Sequence, residues 1–174
     1  MELLAAIVAV LAVLVLVDLV LSAAIIRRLR QTETTLIELR TPPDTGLPVG
    51  ATMPEFSAVN GDLSSRDLVG EPAVIAFFST GCPHCPAQAE RLAARADELA
   101  GHGTRVVSVL AVAEGTTDDL TPTLRKAGRL LTESGPDGLM AVFGETATPS
   151  FLLFDAEGRL MRKGHELSDV LGSG

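Results

Sequence analysis

The stretch from residue 72 to residue 113 restricts the fold more than any other part of the chain. "PAVIAFF", 72–78, is an uninterrupted apolar run of strand length, the pattern of a strand buried on both faces. After "STGCPHCP" the pattern switches to "AQAERLAARADELAG", 87–101, rich in Ala, Leu, Glu and Arg, which predicts a helix with Gly101 just past its end. "TRVVSVLAVA", 104–113, then returns to the buried-strand pattern. Strand, helix and strand at these lengths form a βαβ unit, with parallel strands and a right-handed crossover. Such a unit needs a sheet with helices packed over it, so the class is α/β.

The remaining signals extend that sheet. A helix is expected over Thr121–Ala127, with Pro122 suited to its first turn, followed by a short strand at "RLLT" and a second short helix over 137–143. "PSFLLFDAEGRLMRKG", 149–164, predicts two strands around Ala156-Glu157-Gly158. Upstream, "PEFSAVNGDL", 54–63, is a short strand running into Asn60-Gly61, the dipeptide that best tolerates positive φ at both turn positions, and so a hairpin. The expected architecture is a mixed central sheet flanked by helices. No internal repeat is apparent.

A different signal precedes this domain. Leu3–Ile26 is 24 residues with one charge, Asp18, more than the roughly 20 a helix needs to cross a hydrocarbon core. A cleaved signal peptide is the rival reading, and "LSAA" at 21–24 imitates a cleavage site. No basic segment precedes the run, however, which is also longer than such a peptide's apolar core. The expected division is a transmembrane helix at 1–26, a juxtamembrane segment and linker at 27–48, broken by Pro42, Pro43, Gly46 and Pro48, and one folded domain at 49–174. That domain is large enough to bury a core without disulfide staples. Asp18, near the middle of the span, either contacts another transmembrane helix or is tolerated by an otherwise very apolar segment.

A formal charge of −8 and a pI near 4.8 argue against a nucleic-acid partner, which requires clustered Lys and Arg. The one basic cluster, Arg27, Arg28 and Arg30, sits just after the span. By the positive-inside rule it places the folded domain in the cytoplasm.

Both cysteines of the chain, Cys82 and Cys85, fall where the buried strand gives way to the helix. Unpaired amides and the helix dipole at such a start favour an anion and lower a thiol pKa, so Cys82 is the natural nucleophile and Cys85, one turn on, is within reach to close a disulfide on it. Structural zinc needs about four ligands, and the only further candidates are His84, His102 and His165. Attached c-type haem needs His directly after the second Cys, where Pro86 stands. The remaining alternative is a pair of buried cysteines acting as small apolar residues, which has no need of a helix start.

This arrangement resembles the thioredoxin superfamily, in particular the membrane-anchored thioredoxin-like disulfide oxidoreductases of bacteria, the TlpA type and the accessory protein of methylamine utilisation. The resemblance covers about residues 49–164 and is carried by "VGATMPEFSAVNG", "PAVIAFFSTGCPHC", "ATPSFLLFDAEGRL" and Gly164. It implies a thioredoxin-like fold, exchange of a Cys82-Cys85 disulfide with client cysteines, no bound cofactor, and a separate redox partner to reset the enzyme. It also implies that Pro149 follows a cis peptide bond and lies against the active-site disulfide, while Thr148 presents its backbone to an extended client peptide. An ordinary trans proline entering a strand is the alternative.

Several positions depart from the family's pattern. Ala76 stands where thioredoxins carry a buried acid, Gly81 replaces the usual Trp, and Gln88 replaces a Glu common in TlpA-type proteins. Pro86 is expected to cost the helix an amide bond near its start. The tail "HELSDVLGSG" is short for a final helix, which leaves that edge of the sheet thinly covered. His102 and His165 carry no claim.

The Pro83-His84 dipeptide resembles that of the strongly oxidising periplasmic member. A protonated His84 beside a Cys82 thiolate would stabilise the reduced form and make the disulfide more oxidising; the alternative is an exposed histidine with no role. Two other functions share the fold. A peroxiredoxin-like peroxidase has a Thr three residues before its cysteine, whereas Thr80 is two before Cys82. A non-enzymatic assembly factor would hold client peptides on the Pro149 face. As to location, the arginines favour the cytoplasm, whereas the resemblance and an oxidising centre favour the extracytoplasmic side, which is the expectation adopted.

Overall fold

The computed structural model describes residues 46–58, 63–113, 115–135 and 138–172. The chain divides into two compact units, Met1–Pro43 and Asp44–Gly174, and every described residue belongs to the second. The transmembrane helix expected at 1–26 and the linker up to residue 45 lie outside the described residues, among which no helix is long and apolar enough to cross a membrane.

The expected βαβ unit is the centre of the fold. β1 (Ala73–Ser79) pairs in parallel with β2 (Arg105–Ala111), and the helical crossover between them is split into α1 (Cys85–Ala94) and α2 (Ala96–Gly101). The single helix expected over 87–101 therefore starts two residues earlier and breaks at Arg95. There the amide bonds Leu92 O at 3.2 Å, three residues back instead of four, and tightens the turn. Gly101 is the last residue of α2 and not the one past its end. Gly103, at φ +68°, takes the left-handed position, and the Thr104 amide bonds Leu99 O at 2.8 Å to close a Schellman motif.

α3 (Thr121–Ala127) leads into β3 (Arg129–Glu133), which pairs in parallel with β2. α4 (Leu139–Phe143) is shorter than the 137–143 expected. Its amides at Leu139 and Met140 donate to the Glu133 carboxylate at 2.7 and 3.2 Å, so the end of β3 caps the helix that follows it. β4 (Ser150–Phe154) and β5 (Leu160–Gly164) form the hairpin, with β4 antiparallel to β1. The five strands lie in the order β3-β2-β1-β4-β5. The two legs of the early hairpin bridge through Ser57 and Ser64, while its turn at Asn60-Gly61 lies outside the described residues.

Each face of the sheet buries its own core. Val74, Ala76 and Phe78 of β1 pack with Ala89 and Leu92 of α1 and Leu124 of α3. The alternate residues, Ile75 and Phe77, face Leu68, Leu139 and Phe143. This strict alternation on a strand buried on both sides explains why its sequence is apolar throughout. The edge expected to be thinly covered is closed by a one-turn helix, α5 (Leu167–Leu171), which buries Leu167 and Val170.

Candidate active site

The site is built where β1 ends. Antiparallel pairing sets Phe77 of β1 against Ser150, the first residue of β4, so the turn leaving β1 and the corner entering β4 meet at the same end of the sheet. Cys82 sits in the first and Thr148-Pro149 in the second. The Cys82 thiol donates to the Thr148 carbonyl at 3.2 Å, and the Thr148–Pro149 bond is cis. Cys82, Thr148 and Pro149 are thus brought together from 66 residues apart in sequence.

Both cysteines are free thiols, in unequal settings. Cys82 precedes α1 and is half-buried, whereas Cys85 is the first residue of α1 and fully buried. Burial first, then the neighbouring Cys82 sulfur, pushes the Cys85 thiol up to about 12. Cys85 therefore keeps its proton while Cys82 meets solvent. His84 caps the start of α1 with its backbone; its side chain is exposed and makes no capping hydrogen bond. Pro86 falls in the first turn of α1, where an amide has no intrahelical partner, so the expected loss of a helix bond does not arise.

The departures from the thioredoxin pattern have structural counterparts. Gln88 is buried, and its Oε1 accepts the Leu167 amide at 3.3 Å, tying α1 to α5. Ala76 stands in register with Ser108 of β2, a fully buried residue whose hydroxyl has no hydrogen-bond partner among the described residues. Thr80 is committed to the backbone. Its hydroxyl accepts the Ala113 amide at 2.9 Å and bonds the Thr116 hydroxyl, clasping the loops after β1 and β2 together. Among the described residues no group of three or more His, Cys, Asp or Glu side chains is placed to hold a metal ion.

Two residues near the site carried no claim in the sequence. His165 Nδ1 lies 2.8 Å from the Pro149 carbonyl, and buried Glu145 accepts the Ser150 hydroxyl at 2.6 Å. Neither has a sequence signal, because a lone histidine past a strand and a lone glutamate before a proline loop match no motif.

Solved structures share this fold. The thioredoxin domain of a thiol-disulfide oxidoreductase from Bacteroides vulgatus is 17% identical, with a TM-score of 0.57 over 71% of this chain and 93% of that one. A secreted Mycobacterium tuberculosis disulfide oxidoreductase, homologous to DsbE of E. coli, is 19% identical, with a TM-score of 0.52 over 67% of this chain and 86% of that one. A thiol:disulfide interchange protein from a Bacteroides species is 18% identical, with a TM-score of 0.58 over 71% and 86%. At these identities the likeness establishes the thioredoxin-like fold. No curated protein sequence matches the chain. The family model described as AhpC/TSA matches residues 49–163, which take in β1 to β4, all of β5 but Gly164, both cysteines and the Thr148-Pro149 corner. The chain belongs to the AhpC/TSA family.

Proposed function

We propose that this protein is a membrane-anchored thiol-disulfide oxidoreductase that exchanges a Cys82-Cys85 disulfide with cysteines of client proteins. The observation that carries the reading is the pairing of an accessible Cys82 with a buried Cys85 that keeps its proton, opposite the backbone of Thr148. With the disulfide formed, a client thiolate attacks the Cys82 sulfur and Cys85 leaves as a thiolate that takes up a proton. A second client thiolate then attacks the client sulfur of the mixed disulfide and releases Cys82. Two electrons and two protons pass from client to enzyme, and a separate redox partner reoxidises the dithiol. The reverse sequence, with Cys82 attacking and Cys85 resolving, reduces a client disulfide.

The finer assignment rests on sequence features. The apolar stretch at 1–26 and the linker to residue 48 favour a TlpA-like or methylamine-type anchored protein. The Pro83-His84 pair favours the oxidising direction and hence the extracytoplasmic side, against the pull of Arg27, Arg28 and Arg30. A peroxidase reading is weakened by Thr80, whose hydroxyl is occupied by Ala113 and Thr116.

The test is a Cys85→Ala variant of the full-length chain expressed in its host. Mixed disulfides between Cys82 and client proteins should accumulate, and wild-type protein should not consume peroxide catalytically. Client binding that survives Cys82→Ala with no trapped disulfide would point instead to an assembly factor, and catalytic peroxide turnover to a peroxidase. A reporter active only outside the cytoplasm, joined after Gly174 through a flexible spacer, decides the side.

A further inference from the structure

Three consecutive residues at the corner entering β4 are each held by a side chain from elsewhere. Cys82 donates to the Thr148 carbonyl at 3.2 Å, His165 Nδ1 bonds the Pro149 carbonyl at 2.8 Å, and the Ser150 hydroxyl donates to Glu145 Oε2 at 2.6 Å. The first contact belongs to the reaction. We propose that the other two make Glu145 and His165 positioning residues, which hold the backbone of Thr148–Ser150 in the shape that receives an extended client peptide. The inference rests on the oxidoreductase reading.

Glu145 is the more telling of the two. It is 8% exposed, and burying a carboxyl group costs several kcal/mol unless it is fully paired. Among the described residues only Oε2 is bonded: Oε1 has no hydrogen-bond partner there, and the chain passes it at Gly46, where a Cβ would come within 2.4 Å of that oxygen. An apolar side chain would fill the same space without the desolvation cost. What the carboxyl adds is the short bond to Ser150, whose backbone is in register with Phe77 on the strand that leads to Cys82.

His165 acts from the other side. It follows directly on Gly164, which pairs with Phe151 one residue into β4. A carbonyl oxygen only accepts, so Nδ1 must carry the hydrogen. Both the Nδ1-protonated neutral ring and the imidazolium supply that donor. With Pro149 and Ser150 each pinned, Thr148 is left as the corner's one residue whose carbonyl changes partner when the Cys82 thiol enters a disulfide.

The experiment compares two thiols reacting with the oxidised full-length chain: 2-mercaptoethanol, which has no peptide backbone to place, and an unstructured peptide with one central cysteine. Glu145→Val, Ser150→Ala and His165→Phe should each raise the half-saturating peptide concentration about tenfold, the worth of one buried hydrogen bond to a charged or backbone group. Their rates with 2-mercaptoethanol should stay within roughly twofold of wild type, given how little that reaction asks of the corner. Glu145→Gln, which keeps an acceptor, and His165→Asn, which keeps a donor, should restore peptide saturation. An equal fall with both thiols would show that these side chains only support the fold, and unchanged peptide saturation would remove their positioning role; either overturns the inference. A wild-type chain that exchanges with neither thiol would remove the oxidoreductase reading itself.

Discussion

At the scale of the residue, the two thiols differ in access and in proton affinity. Cys82 is half-buried, while Cys85 is fully buried and pushed up to about 12 by burial and by the Cys82 sulfur. Iodoacetamide should therefore label Cys82 first in the reduced chain at every pH below about 9, with Cys85 modified only as the protein unfolds, as peptide mapping would show. Faster labelling of Cys85 would reverse their roles. A thiol whose folded pKa is raised contributes fully below its unfolded value and loses that contribution as pH rises. Reduced protein should thus lose stability between about pH 9 and pH 12, and Cys85→Ala should flatten that limb. His84 is exposed two residues after Cys82, and His84→Pro, which removes the imidazole, should make the disulfide more reducing by about 30 mV or more in glutathione buffers. An unchanged potential would leave His84 without an electrostatic role. The cysteines were legible because their relation is local, three residues across a strand-to-helix turn. Glu145 and His165 were not, because their meaning depends on Ser150 and Pro149, which only folding brings to them.

Elements were legible wherever periodicity and length agreed, as in β1, β2 and α3. They blurred wherever a hydrogen bond made at a distance decided the boundary. The start of α4 is set by Glu133 at the end of β3, and the opening turn of α5 joins a local bond, the Glu166 amide to Asp169 Oδ2 at 2.9 Å, to a distant one, the Leu167 amide to Gln88 of α1 at 3.3 Å. A tail of that length has little helical tendency of its own, since a single turn fixes several dihedrals for one hydrogen bond. At α3, Asp118 accepts the Thr121 hydroxyl at 2.7 Å and the Thr121 amide at 3.0 Å, and these bonds hold its carboxyl below the usual carboxylate range. A lowered folded pKa contributes above the unfolded value and loses that contribution as pH falls through the folded one. Asp118→Ala should therefore cost about 0.5–1 kcal/mol at neutral pH, the low end for a side chain that bonds the first turn of a helix because the group is exposed, and the difference should shrink as pH falls below the usual carboxylate range. Urea midpoints at neutral and acid pH would measure it, and a difference that persists in acid would assign the effect to something other than charge.

For the whole molecule, the order β3-β2-β1-β4-β5 makes the site possible. It puts β1 in the middle of the sheet and, by running β4 against it, carries the Pro149 corner to the end of the strand that bears Cys82. Hydrophobic pattern predicts strands but not which lie side by side, so the meeting of Cys82 with Thr148 follows from the resemblance and not from periodicity. The redox state should also reach the whole fold. If the disulfide is oxidising, a thermodynamic cycle requires the folded dithiol to be more stable than the folded disulfide, relative to their unfolded chains. The reduced protein should then unfold at higher urea than the oxidised one; the opposite order would mark a reductase. The bond from Gln88 to the Leu167 amide has a practical consequence of another kind. α5, the last helix among the described residues, is a strut behind the cysteine-bearing helix and begins two residues after His165. A purification tag, a fusion partner or a trimmed terminus at that end would work on the redox centre from behind, and belongs on a flexible spacer or not there at all.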